Sequence, residues 1–157
     1  MPVPVIAVFD VGKTNKKLFL FNEAYQIVFE KSSQFNEVVD DDGDPCEDVN
    51  SLQFFIEDGL RTVLALPEFK IRAINFSAYG ASLVYLDEKG KQTGYLYNYL
   101  KPYPPSLRKQ FYDTYGGEKQ FSFQTASPVL GSLNSGMQLY RIKYEKPDLY
   151  DRIKYAL

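Results

Sequence analysis

Residues 5–10 and 17–21, reading VIAVFD and KLFLF, are short and mostly apolar runs rich in Val, Ile, Leu and Phe. Runs of this length and composition read as buried strands. Between them sits a polar knot holding Gly12, Thr14, Asn15 and lysines, bracketed by Asp10 and Lys17. Asn22-Glu-Ala-Tyr25 reads as a turn, and residues 27–32 as a third strand. Three successive strands with short links predict an antiparallel meander.

The polar loop 40–45 interrupts this pattern. Val49, Leu52, Phe55, Ile56, Leu60, Val63 and Leu64 then keep the i, i+3, i+4 spacing of an amphipathic helix. Asp48 is its expected N-cap and Pro67 its stop. Residues 71–77 read as a fourth strand, and 82–87 with 93–97 as a hairpin. Residues 98–127 are mixed, with a short helix over 107–115 and turns at the prolines and at Gly116-Gly117. A clear helix is expected over 129–144. A last one starts at Pro147, with Leu149, Ile153 and Leu157 as its stripe. The order β-β-β-α-β followed by helices is a mixed α/β reading of the ribonuclease H-like or actin-like type, not a doubly wound one.

Composition excludes several chemistries. The chain of 157 residues has no histidine, so it holds no Ser-His-Asp triad, Cys-His dyad or histidine metal ligand. Its single cysteine, Cys46, forms no disulfide within the chain and no Cys-based zinc site. The net charge of -2 offers no basic field for nucleic acid. Tyr95, Tyr97, Tyr99 and Tyr103 lack an accompanying basic stripe, so they read as packing residues rather than a base-stacking platform. No apolar run approaches the ~20 residues of a membrane span, and Met-Pro-Val-Pro does not read as a signal peptide. A soluble, reducing, cytoplasmic setting is expected.

The knot tempts a P-loop reading, which fails. The motif needs a glycine where Ala7 stands and a helix where the apolar run after Lys17 stands. A hairpin phosphate loop fits better. A tight turn aims successive N–H groups inward as an anion nest, Gly12 allows close backbone approach, Thr14 and Asn15 add donors, and Lys17 or Lys16 adds charge. Asp10 can hold a hydrated Mg²⁺ beside the phosphates. The alternative is a polar turn with solvated lysines.

The stretch AVFDVGKTNKKLFLFNEAYQIV resembles the opening phosphate motif of the FGGY carbohydrate kinases, Asp-x-Gly-Thr-Thr/Ser-x-x-Lys/Arg. Asp10, Gly12, Thr14 and Lys17 stand in register with it. Lys13 replaces the usual Thr or Ser, and Asn15 stands where a small residue is common. The acidic entry DGDPCEDV, the stretch INFSAYGASLVYLDEKGK and the C-terminal LNSGMQLYRIKYEKPDLYDRIKYAL resemble further blocks of that family, in the family's order.

The resemblance implies an actin-like ATPase fold with a mixed sheet, residues 1–157 being the N-terminal portion of a first actin-like domain, incomplete at its C-terminus. It implies ATP and Mg²⁺ as cofactors and a sugar as the second substrate. Gly12, Thr14, Asn15 and Lys17 would meet the ATP phosphates, Asp10 the metal through water, and Tyr79, Gly80, Ala81, Asn134 and Gln138 the sugar. For Tyr79–Ala81 the competing reading is an ordinary strand-end turn, and for Asn134 and Gln138 a pair of structural amides. The family's catalytic base falls beyond residue 157, so the isolated chain is expected to be inactive. The DGDPCEDV and AYGA blocks lean towards the rhamnulose or fuculose kinase branch. A non-catalytic phosphate- or sugar-binding module is the alternative function. Exposed apolar surface in an incomplete domain favours a homo-oligomer. The acidic cluster Asp40, Asp41, Asp42 and Asp44 lacks the EF-hand spacing and reads as a solvated loop.

Overall fold

The computed structural model describes residues 1–157. In chain order its elements are β1 (Val3–Val11), β2 (Lys16–Asn22), β3 (Ile27–Ser33), β4 (Val38–Val39), β5 (Pro45–Cys46), α1 (Val49–Leu64), β6 (Phe69–Ala78) and β7 (Tyr85–Leu86). There follow α2 (Pro105–Thr114), α3 (Glu118–Thr125), a 3-10 turn (Gly131–Leu133), α4 (Ser135–Glu145), α5 (Pro147–Tyr150) and β8 (Tyr155–Ala156). The chain forms two compact units, residues 1–36 with 48–80 and residues 37–47 with 81–157. No helix is long and apolar enough to cross a membrane.

The first unit is a four-stranded mixed sheet in the order β3-β2-β1-β6 with α1 packed on it. The β1–β2 and β2–β3 pairs are antiparallel, the expected meander, and β6 joins β1 in parallel. Side chains alternate across a strand, so Val5, Ala7 and Phe9 of β1 share one face with Leu18 and Leu20 of β2. That face is buried against Phe55 and Val63 of α1. Each of the larger side chains here, Ala7 apart, contributes roughly 1.5–3 kcal/mol. Phe9 meets Phe55 edge to face, with centroids 5.7 Å apart. The helix comes close enough that a Cβ on Gly59 would lie 2.8 Å from the Phe9 ring. Asp48 caps α1 as expected, its carboxylate accepting from the backbone N–H of Asn50 and Ser51, each at 3.1 Å. Such a cap stabilises by about 1 kcal/mol. β6 is an edge strand, and its Ile74 and Phe76 stay largely exposed.

The second unit gathers around Tyr85, Tyr97, Ile142 and Leu149. Here several local expectations are corrected. The hairpin expected from 82–87 and 93–97 forms only at its turn end: the Asp87 N–H donates to the Lys91 carbonyl at 2.8 Å, Leu86 bridges Gln92, and the Thr93 N–H donates to the Tyr85 carbonyl at 2.9 Å. The regular ladder of β7 runs along its other edge, with β8. Gly94, at φ 78°, lies against Leu149 and carries the chain away. The same pairing ends the expected last helix after Tyr150, because residues 155–156 belong to a strand. The helix expected from Val129 starts at Ser135. Asn134 is the reason: its side-chain oxygen accepts from the Leu130 N–H at 2.8 Å, and its amide donates to Ser127 Oγ and the Pro128 carbonyl, each at 3.1 Å. These local bonds give residues 127–134 an alternative to the helix. α3 has no buried residue and hence no apolar stripe for periodicity to reveal.

Candidate functional site

The polar knot is a hairpin loop, with β2 rather than a helix following it. The ladder runs to its base, pairing Asp10 with Lys17 and Val11 with Lys16, so residues 12–15 form the bend. Gly12 is required there by space: a Cβ would lie 2.7 Å from the backbone oxygen of Asn15. Alternation then separates the two lysines. Lys17 lies on the outer face, where its Nζ pairs with Glu30 at 2.8 Å. Lys16 is buried with Leu18 and Leu20, and its Nζ donates to the Lys13 carbonyl at 3.0 Å. The Asn15 side-chain oxygen accepts from Gln34 at 2.6 Å. Asp10 is half-buried, and Thr14 is exposed in the bend.

The parallel β1–β6 pairing brings a second segment to the same sheet edge. Asp10 pairs with Ser77 and Val11 with Ala78, and the Tyr79 N–H then donates to the Val11 carbonyl at 3.0 Å. The candidate sugar-side residues Tyr79 and Gly80 thus leave the sheet beside the candidate phosphate loop. This is the carboxyl end of two parallel strands, where open α/β sheets bind ligands. Gly80 does not supply an unusual conformation: its Cβ position is open, and the left-handed residue is the next one, Ala81, at φ 67°. In the second unit, Gln138 of α4 donates from Nε2 to the Ala81 carbonyl and to the Ser132 carbonyl, the latter at 2.6 Å. Asn134 is committed to the 127–130 segment.

The acidic loop corrects the expectation of solvated aspartates. Asp40 is 5% exposed, and Lys101, 6% exposed, sits among the loop carboxylates. Its Nζ meets Asp40 at 2.6 Å, Asp42 at 2.8 Å and Asp44 at 2.9 Å. Lys146 adds pairs to Asp41 at 2.6 Å and Asp42 at 2.7 Å, and the Tyr97 hydroxyl donates to Asp41 at 2.9 Å. Oxygens of Asp40, Asp41 and Asp42 lie within 4.8 Å of one another, as a metal site would need, but ammonium groups fill that role. The carboxylates were visible in the sequence. Their partners stand more than fifty residues away, and no local spacing signals them.

Burial alone would raise the Asp42 carboxyl, but hydrogen bonds from Lys101 and Lys146 outweigh it and bring it from 3.8 to about 2. Asp40 is likewise held low, by Lys101 and the Asp44 and Asp42 N–H groups acting against its burial. A carboxyl depressed in the folded state stabilises it fully above its unfolded value, and that contribution is lost as pH falls through the folded value. The urea midpoint is therefore expected to hold down to about pH 4 and fall between about pH 4 and pH 2. Asp42→Asn flattens part of this fall; an identical acid profile in that variant contradicts the clamp.

No family model matches the chain, and no curated protein matches it in sequence. Solved structures match its fold over nearly its whole length. The gluconate kinase of Lactobacillus acidophilus superposes with a TM-score of 0.82 at 18% identity, covering 99% of this chain and 31% of that one. The xylulose kinase of the same organism gives 0.81 at 18%, covering 98% and 31%. The glycerol kinase of Plasmodium falciparum, solved with ADP, gives 0.73 at 16%, covering 96% and 30%. The chain thus has the actin-like ATPase fold of sugar kinase N-terminal domains and spans about a third of those chains' length.

Proposed function

We propose that the chain is the N-terminal portion of an ATP-dependent carbohydrate kinase. One observation carries this reading: the Asp10–Lys17 hairpin bend and the Tyr79–Gly80 exit lie side by side at the carboxyl edge of β1 and β6, on a fold shared with sugar kinases. In this reading the backbone of residues 12–15, with Thr14 and Asn15, receives the phosphates, and the sugar lies toward Tyr79. Lys16 steadies the bend from beneath through the Lys13 carbonyl. Lys17, paired with Glu30, must leave that partner to reach a phosphate.

Asp10 fits a metal-ordering role, since its half-buried carboxylate stands at the base of the bend beside donors suited to phosphate. Bound Mg²⁺ would neutralise phosphate charge there. Phosphoryl transfer is mostly positioning and charge stabilisation, and the base that accepts the sugar hydroxyl proton is expected outside residues 1–157. The chain alone is therefore expected to bind without turning over. The acidic entry and the AYGA turn favour a deoxy-ketose such as rhamnulose or fuculose as substrate.

The test is an NMR titration with Mg-ATP, followed by a sugar panel of rhamnulose, fuculose, xylulose, gluconate and glycerol. Amide shifts are expected at residues 10–17 with nucleotide, and Asp10→Asn should weaken the Mg²⁺-dependent part about ten-fold, in line with losing a charged ligand contact. Sugar shifts are expected at residues 79–81. Silence at both segments sinks the kinase reading. Sugar shifts without nucleotide shifts favour the binding-module alternative, and a coupled ADP-release assay showing turnover overturns the expected inactivity.

A further inference from the structure

Ala81 holds a backbone conformation that residues with a Cβ avoid, at φ 67°. Its neighbour Gly80 could adopt such a bend freely but does not. Strain of this kind persists only where the surroundings over-determine it. Two contacts do so within the second unit. The Gln138 carboxamide grips the Ala81 carbonyl, and the next residue, Ser82, donates from Oγ to the Tyr97 carbonyl at 3.0 Å.

Gln138 is unsuited to touching a ligand itself. It is 5% exposed, and its Nε2 is already committed to the carbonyls of Ala81 and Ser132. The cavity it lines, with Asp42, Tyr97, Asn98 and Arg141, has a volume of about 20 Å³. That is room for about one water, whereas small-molecule sites run to roughly 300 Å³ or more. The carboxamide oxygen has no donor from the protein. An isosteric glutamate could not replace the amide, because an ionised carboxylate has no proton to give two carbonyls.

We infer, resting on the sugar-kinase reading that counts Ala81 among the sugar-side residues, that Gln138 is a positioning residue: it clamps the Ala81 carbonyl and holds residue 81 in its left-handed shape without contacting the sugar. The family resemblance implied a sugar contact for Gln138, with a structural amide as the competing reading. Its burial and its two bonds to carbonyls favour the structural amide.

The test compares the 157-residue chain with Gln138→Leu, Ala81→Gly and the double variant. Backbone dihedrals of residues 80–82 come from NMR chemical shifts, and rhamnulose, the substrate proposed above, is titrated by the same method as the sugar probe. Residue 81 is expected to leave the left-handed region in Gln138→Leu and to return to it in the double variant, since glycine adopts that region without strain. A merely structural glutamine predicts no such rescue. Rhamnulose binding should weaken about ten-fold in Gln138→Leu, equivalent to 1.4 kcal/mol, and recover with Ala81→Gly. Residue 81 staying left-handed in Gln138→Leu overturns the inference. Should Gln138→Leu fail to fold, Ala81→Gly alone is measured: an unchanged or raised urea midpoint is expected, and a lowered one overturns it. A wild-type chain silent to the whole sugar panel sinks the kinase reading instead, while the dihedrals still judge the role of Gln138.

Discussion

Lys101→Met is expected to destabilise the protein by about 3–5 kcal/mol, the usual result of removing one partner of a buried ion pair. The Lys101 side chain is 3% exposed and that of Asp40 is 0% exposed, so water cannot replace the lost ammonium. Methionine fills similar space but leaves the Asp40 carboxylate buried without its counter-charge. The N–H groups of Asp42 and Asp44, which donate to Asp40 at 2.9 and 3.0 Å, compensate only part of that charge. Asp42 suffers less, because Lys146 still reaches it at 2.7 Å. A domain stable by only ~5–15 kcal/mol loses a large share of its margin. Urea unfolding at pH 7 measures the effect. Adding Asp40→Asn should return part of the loss by removing the orphaned charge, and a Lys101→Met penalty below about 1 kcal/mol would place this pair with weak surface bridges.

Gly12→Ala is the second large effect, expected at about 1–3 kcal/mol, as for other overpacked sites. The added methyl meets the Asn15 carbonyl at 2.7 Å, and that atom belongs to the backbone, so no side chain can swing aside. The bend must open, which pulls on the β1–β2 ladder at Val11 and Lys16. Beyond lost stability, the variant should lose the Mg-ATP shifts at residues 10–17, because a nest works only while its N–H groups converge. Gly80→Ala is the control: the position is open and its φ lies outside the left-handed region, so stability should change little. If Gly12→Ala behaves like Gly80→Ala, the bend is an ordinary surface turn and the phosphate reading loses its main support.

The structure also separates two lysines that sequence treats alike. Lys16 and Lys17 are adjacent and chemically identical, and either could have served the bend. Period-2 alternation in β2 sends one under the loop and the other out to Glu30. The register that settles which goes where is a property of the β1–β2 ladder, since a slip of one residue would exchange the two faces.

Residues close together in the chain announced their own structure. The apolar runs of β1 and β2, the stripe of α1 with Asp48 before it, and the Gly12 bend all depend on neighbours within a turn or a hairpin, so periodicity and residue type suffice to find them. The clamp of Lys101 on Asp40, the pairing of β8 with β7, and the hold of Gln138 on Ala81 join segments far apart in sequence. Sequence lists the charges, the strand formers and the amides but not which of them meet. Each meeting is set by chain closure and packing, where many pairings compete and only the folded geometry selects one.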